Sequence, residues 1–341
     1  MAARLSIQQL AGQRVIYAYS GSRPPASLLS AIRAGEAGGV ILFGDNISSR
    51  EQIRSVIGHL QHLSLASPIH DRLLVMIDQE GGEVRRLPGA PTLSERQIGR
   101  SRHAAALASA AGAAAGRNLR GVGINVNLTP VLDVYRSAGD FIDRYQRSYS
   151  RSALAVGTLG SAFVAAQQRT GVAATAKHFP GLGSAAVGQD TDLLPVTLRV
   201  SLARLRATDE APYASAIVAG VKLVMSSWAV YPALDPRLPA GLSQSVIGGE
   251  LRGRLGYRGV TITDAIGAGA LRSFGSVGRR AVLAARAGAD LILCTSATDA
   301  NTPAAGIAVR RSLASAIARG QLSATATRAA VTRVLTLRAH P

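Results

Sequence analysis

Eight short runs rich in valine, isoleucine and leucine recur along the 341-residue chain, separated by longer segments of helical character. They occupy residues 14–20, 39–43, 73–77, 124–134, 172–176, 222–225, 259–263 and 290–294. A strand with one face in water alternates apolar and polar side chains, whereas a near-continuous apolar run suits a strand covered on both faces, as in a parallel sheet flanked by helices. Residues 48–65, 94–120, 153–169 and 201–219 supply helices. Ser94 and Gln97 have the spacing of a capping box, and Gly121, Gly171 and Gly220 stand where helices should stop.

Eight strand-then-helix units, with no long linker of Pro, Gly or Ser between them, predict a single (β/α)8 TIM-type barrel over residues 1–341, with the segment 304–341 as the C-terminal helices that complete it. The competing architecture is a doubly wound open sheet, which lacks support because no G-x-G-x-x-G joins a first strand to its helix. At 47% apolar residues the chain can bury a large core without disulfides or metal. The single cysteine, Cys294, lies in an apolar run and reads as packing, which permits a reducing, cytoplasmic setting.

The formal charge of +18 raises nucleic acid as a partner. The basic residues are almost all arginines, with Lys177 and Lys222 the two lysines, and they are scattered rather than gathered. No helix-turn-helix pattern, zinc spacing or aromatic-basic motif accompanies them, so no nucleic-acid partner is expected. Gln8, Gln9 and Gln13 interrupt the N-terminus, and the Ala-rich stretch 104–116 is too short to span a bilayer, so no membrane association is expected either. No His/Cys/Asp spacing suggests a metal, no cofactor is indicated, and a cytoplasmic monomer is anticipated.

In such a barrel the reacting groups stand at the C-terminal ends of the strands. Four runs end in ionisable residues: Asp78-Gln79-Glu80-Gly81-Gly82 after the third, Pro130-Val131-Leu132-Asp133 in the fourth, Lys177-His178-Phe179-Pro180-Gly181 after the fifth and Thr263-Asp264-Ala265 after the seventh. Any one of these carboxylates could cap a helix or pair with an arginine; four at one edge are harder to explain that way.

These same strings resemble the N-terminal catalytic domain of glycoside hydrolase family 3, most closely the single-domain β-N-acetylhexosaminidases of bacterial cell-wall recycling. Gly38-Gly39-Val40-Ile41-Leu42-Phe43-Gly44, Thr129-Pro130-Val131-Leu132-Asp133-Val134 and Leu255-Gly256-Tyr257 extend the match from about Leu10 to Thr295. The resemblance implies that Asp264 is the nucleophile of a retaining mechanism, forming a glycosyl-aspartate intermediate. It implies also that Asp78, Arg147, Lys177 and His178 bind the sugar, a small-molecule carbohydrate.

The sequence departs from that family on the leaving-group side. Members usually read Lys-His-Phe-Pro-Gly-His-Gly, followed by a loop whose Asp-Ser-His or Asp-Thr-His supplies the acid/base histidine. Here Leu182 follows Gly181, and the loop reads Asp190-Thr191-Asp192. Asp45 and Glu83 replace common arginines, and Trp228 stands near an expected histidine. Asp192 is the proposed substitute acid/base with Asp190 as its neighbour, and Gly181, Gly183 and Gly188 are read as giving their loop freedom to close. The alternative is a sugar-binding pseudoenzyme that has lost its acid.

Overall fold

In a computed structural model, which describes residues 2–296 and 300–341, eight parallel strands close into a barrel. They are β1 (Val15–Tyr17), β2 (Gly39–Leu42), β3 (Leu74–Ile77), β4 (Val126–Asn127), β5 (Ala173–Phe179), β6 (Leu223–Ser226), β7 (Val260–Ala265) and β8 (Leu291–Leu293). Each pairs with the next, and β8 closes on β1 through Val15–Ile292 and Ile16–Leu293. A strand falls on each of the eight predicted runs, with β5, β6 and β7 extending past the end of theirs.

The pleat explains how uniformly apolar runs still have two faces. In β3, Leu74 and Met76 enter the barrel interior, whereas Val75 and Ile77 join the layer between strands and helices. Ile16 and Ala18, Val126 and Leu128, Val260 and Ile262, and Leu291 and Leu293 continue the inner set. The interior is therefore packed, and space opens only above it.

The regular elements are shorter than the sequence pattern predicts in three places. The fourth run pairs regularly only at Val126–Asn127, because Pro130 has no N–H to give, although Leu132 N still donates to Lys177 O at 2.7 Å. The helix expected over 94–120 divides into Glu95–Gly99, with the Ser94/Gln97 capping box in place, and Ala104–Arg120. That over 201–219 becomes Leu202–Arg204, a wide turn at Leu205–Asp209 and Ala211–Val218, which restarts with Pro212 in its first turn.

The small-residue helix Ala104–Arg120 packs closely against Ala153–Gln168; a Cβ on Gly112 would lie 2.3 Å from Phe163 O. Among the described residues no helix is long and apolar enough to cross a membrane. The C-terminal helices Pro303–Ala318 and Ala324–Ala339 do more than fill the outer ring. Val334 and Leu337 plug the barrel interior, and the buried Arg338 donates to Ser64 Oγ at 2.9 Å, to the carbonyls of Arg72 and Asp71, and to Gln13. The N-terminal end of the barrel is thereby sealed.

Candidate active site

Following the inward-facing parity of each strand one step beyond its last apolar residue leads to the cavity. Leu74 and Met76 point to Asp78 and Glu80, Val260 and Ile262 to Asp264, and Leu291 and Leu293 to Thr295; all four polar residues line a cavity of about 690 Å³ above the core. Strand β5 breaks the parity. Its register with β6 shifts between Ala176 and Phe179, and consecutive residues Lys177 and His178 both reach the cavity.

The floor is a closed set of charges. Lys177 Nζ lies 2.7 Å from both Asp78 Oδ1 and Glu80 Oε1. Arg147 grips Glu80 with two parallel bonds of 2.9 Å, from Nε to Oε2 and from Nη2 to Oε1. Burial opposes the charged form of Glu80, but Arg147 and Lys177 outweigh it and hold the carboxyl down at about 2. Burial likewise opposes the Lys177 ammonium, and Asp78 and Glu80 overcome it to raise its pKa. Arg147 is thus part of the charged floor of the cavity. Four fixed charges that sum to zero can orient sugar hydroxyls without drawing in a charged ligand.

His178 is held from behind. Its Nδ1 lies 2.8 Å from Asp133 Oδ2; as an ionised carboxylate only accepts, that nitrogen carries the proton and Nε2 is the one free to meet a ligand. The other Asp133 oxygen accepts from Leu182 N at 2.6 Å and His178 N at 3.3 Å. One carboxylate thereby fixes both the cavity-lining His178 and the start of the loop that carries Asp192.

That loop is docked onto the segment following β7, the strand that ends in Asp264. Gly269 N donates to Asp192 O at 2.7 Å and Ala270 N to Thr191 O at 3.1 Å, an approach that requires Gly269, whose Cβ would lie 2.1 Å from Leu193 O. Asp192 and Asp264 consequently face one cavity. Burial, then the charge of Asp264, then that of Asp190 push the Asp192 carboxyl up to about 7, and its Oδ1 is buried with no hydrogen-bond partner among the described residues. Asp190 does not itself line the cavity; its Oδ1 accepts from Asp192 N at 2.9 Å, so it positions the loop rather than touching the reacting atoms. Gly183 also differs from expectation. It permits close packing, since its Cβ would fall 2.0 Å from Val134 O, whereas Gly181 and Gly188 do adopt positive φ.

Strand β7 ends rigidly. Asp264 Oδ1 accepts from Ala265 N at 2.7 Å, and the Trp228 indole donates to Ala265 O at 2.9 Å, giving the residue near an expected histidine a supporting role.

Three contributors had no individual role from the sequence, although Glu80 and Asp133 stood among its strand-end carboxylates. Glu80 could have been found as the residue two beyond Asp78 on the same pleated face, and Asp133 by its place at a strand end. Glu95 gives no such signal. It is buried beside Glu80 and accepts from Val131 N at 2.9 Å, and burial followed by the Glu80 charge raises its pKa well above the usual carboxylate range. Among the described residues no three His, Cys, Asp or Glu side chains are gathered as a metal site.

The profile of the glycosyl hydrolase family 3 N-terminal domain matches residues 4–337. The chain belongs to glycosyl hydrolase family 3. This family 3 chain is 47% identical over 317 residues to an uncharacterized secreted glycosyl hydrolase of Arthroderma benhamiae, covering 92% of the chain and 88% of that protein. It is 35% identical over 265 residues to a beta-hexosaminidase of Thioalkalivibrio sulfidiphilus, covering 75% and 73% respectively. Its fold superimposes on a family 3 beta-N-acetylglucosaminidase from Paenibacillus with a TM-score of 0.90 at 36% identity, covering 98% of the chain and 62% of that longer protein. A beta-N-acetylhexosaminidase from Beutenbergia cavernae superimposes with a TM-score of 0.86 at 32% identity, covering 98% and 99%.

Proposed function

We propose that this protein is a retaining glycosidase that removes β-linked N-acetylglucosamine, or a closely related sugar, through a covalent glycosyl-aspartate. The observation that carries the proposal is the pairing, in one cavity, of Asp264 on a rigid strand end with Asp192, whose carboxyl is pushed up to about 7. A retaining mechanism asks for one carboxylate able to attack and one carboxylic acid still protonated near neutral pH. Environment divides the two roles here. The choice of sugar follows the named relatives.

In the first step Asp264 attacks the anomeric carbon, the glycosidic C–O bond breaks, and Asp192 transfers its proton to the departing oxygen. In the second, Asp192, now a carboxylate, takes a proton from water as that water attacks the same carbon, freeing Asp264. Asp78, Lys177, Arg147 and His178 hold the sugar throughout. The placement of a carboxyl pushed up to about 7 beside Asp264 in one cavity suits proton transfer, which favours the catalytic reading over the pseudoenzyme.

Brief exposure to a 2-fluoro glycosyl donor with a good leaving group tests this, with intact-protein mass as the readout. The expected result is one added glycosyl unit, absent in Asp264→Asn. Turnover of aryl glycosides without any adduct, or an adduct unaffected by Asp264→Asn, would overturn the assignment.

A further inference from the structure

The charges around the cavity divide by depth. On the floor, Asp78 and Glu80 are matched by Lys177 and Arg147. With the proton on Asp192, the charged lining residues left over are Asp45, Glu83 and Asp264 against Arg86. None of these four, nor Asp192, enters an ion pair among the described residues. In a chain of formal charge +18, the residues lining this cavity therefore carry a net negative charge, and at its rim the lining carboxylates Asp45 and Glu83 outnumber Arg86.

Asp45, Glu83 and Arg86 are exposed, and the floor residues are buried or nearly so. A sugar seated on the floor directs its leaving group outward past these exposed side chains. Asp45 sits just beyond β2 and is anchored, its Oδ2 accepting from Gly21 N at 2.9 Å. Glu83 lies in the hairpin formed by Gln79–Gly81 and Val84–Arg85, whose base is tied down by Gln79: its side chain donates to Leu87 O at 2.7 Å and Ala90 O at 3.0 Å. Both carboxylates are thus held at the opening by ordered backbone.

Resting on the glycosidase reading above, we propose that the mouth selects leaving groups by charge, taking neutral and cationic aglycones, such as N-acetylglucosamine and glucosamine, and disfavouring those that carry a carboxylate. A carboxylate brought between Asp45 and Glu83 meets like charge as it loses water, whereas an ammonium finds acceptors there. The mouth is partly solvated, so the discrimination is modest and weakens with salt. An unacetylated amino sugar at the leaving position is the substrate feature this mouth favours most.

The test uses four β-linked disaccharides with N-acetylglucosamine at the non-reducing end. Their reducing sugars are N-acetylglucosamine, glucosamine, N-acetylglucosamine bearing a 3-O-lactyl carboxylate, and the neutral amide of that lactyl group, which matches its shape. At low salt and slightly acid pH, kcat/KM for the lactyl acid should fall about tenfold below that of its amide, and glucosamine should do at least as well as N-acetylglucosamine. High salt should narrow the gap, and Asp45→Asn combined with Glu83→Gln should bring the acid-to-amide ratio towards one. Equal or faster cleavage of the lactyl acid at low salt, or a ratio unmoved by the double substitution, would overturn the inference. Inertness towards all four would overturn the glycosidase reading and this one with it, whereas cleavage of the neutral pair without charge preference would sink this one alone.

Discussion

Asp290 at the N-terminal end of the barrel and the Asp264–Asp192 pair at the C-terminal end are held in opposite ways. At the N-terminal end Asp290 is saturated: Arg252 and Arg333 donate to it at 2.7 Å, and Thr261 contributes both its N–H at 2.8 Å and its hydroxyl at 3.1 Å. At the C-terminal end, among the described residues, Asp264 is bonded only by the neighbouring Ala265 N–H, and Asp192 keeps one buried oxygen without a partner. A carboxylate with every acceptor position filled supports the fold; one left under-satisfied is available for chemistry, and the fold must hold it there by other means. Asp133 supplies part of that support through His178 and Leu182.

Substitutions at the two ends should therefore separate activity from stability. The largest effect is expected for Asp264→Asn, with turnover of aryl β-glycosides falling by roughly 10⁴-fold while the urea midpoint stays near that of the parent, the scale seen when a principal catalytic group is removed. Asp192→Ala should lose about 10²- to 10⁴-fold on poor leaving groups, the range for general acid catalysis. Glycosylation with dinitrophenolate, which needs no proton, should be spared, and azide should accelerate turnover and yield a glycosyl azide. Asp290→Ala should behave in reverse. Leaving Arg252 and Arg333 without their shared anion should cost about 3–5 kcal/mol of stability, measured by denaturant unfolding, with kcat of the folded fraction unchanged. Lys177→Ala should lower kcat/KM about tenfold or more, because it removes a charge-assisted contact and unbalances Asp78 and Glu80.

The barrel was legible because burial on both faces leaves an unambiguous mark, and the site was legible as far as that mark extends. Asp264 and Asp78 follow their strands' inward parity, so their placement was written in local sequence. Arg147 was not, since its partner Glu80 lies 67 residues away and only the closed barrel joins them. His178 lies off the parity because β5 shifts register, and nothing in its apolar run announces that. The docking of the 190–193 loop on Gly269 is equally non-local: the sequence offered a glycine-rich loop free to close, and the structure shows a loop already clamped. Helix breaks at Gly99 and before Pro212 were missed because apolar periodicity runs straight through them.

Proton transfer from Asp192 to the departing sugar oxygen is read out by the pH dependence of kcat/KM on a substrate with a poor leaving group. Because the carboxyl is pushed up to about 7 and the protonated form is the active one in glycosylation, the parent rate should be level on the acid side of that value until other groups intervene. It should then fall tenfold per pH unit above it, and Asp192→Ala should be slower throughout and show no such alkaline limb. An alkaline limb near pH 7 that persists in Asp192→Ala would place the proton on another group and contradict the account.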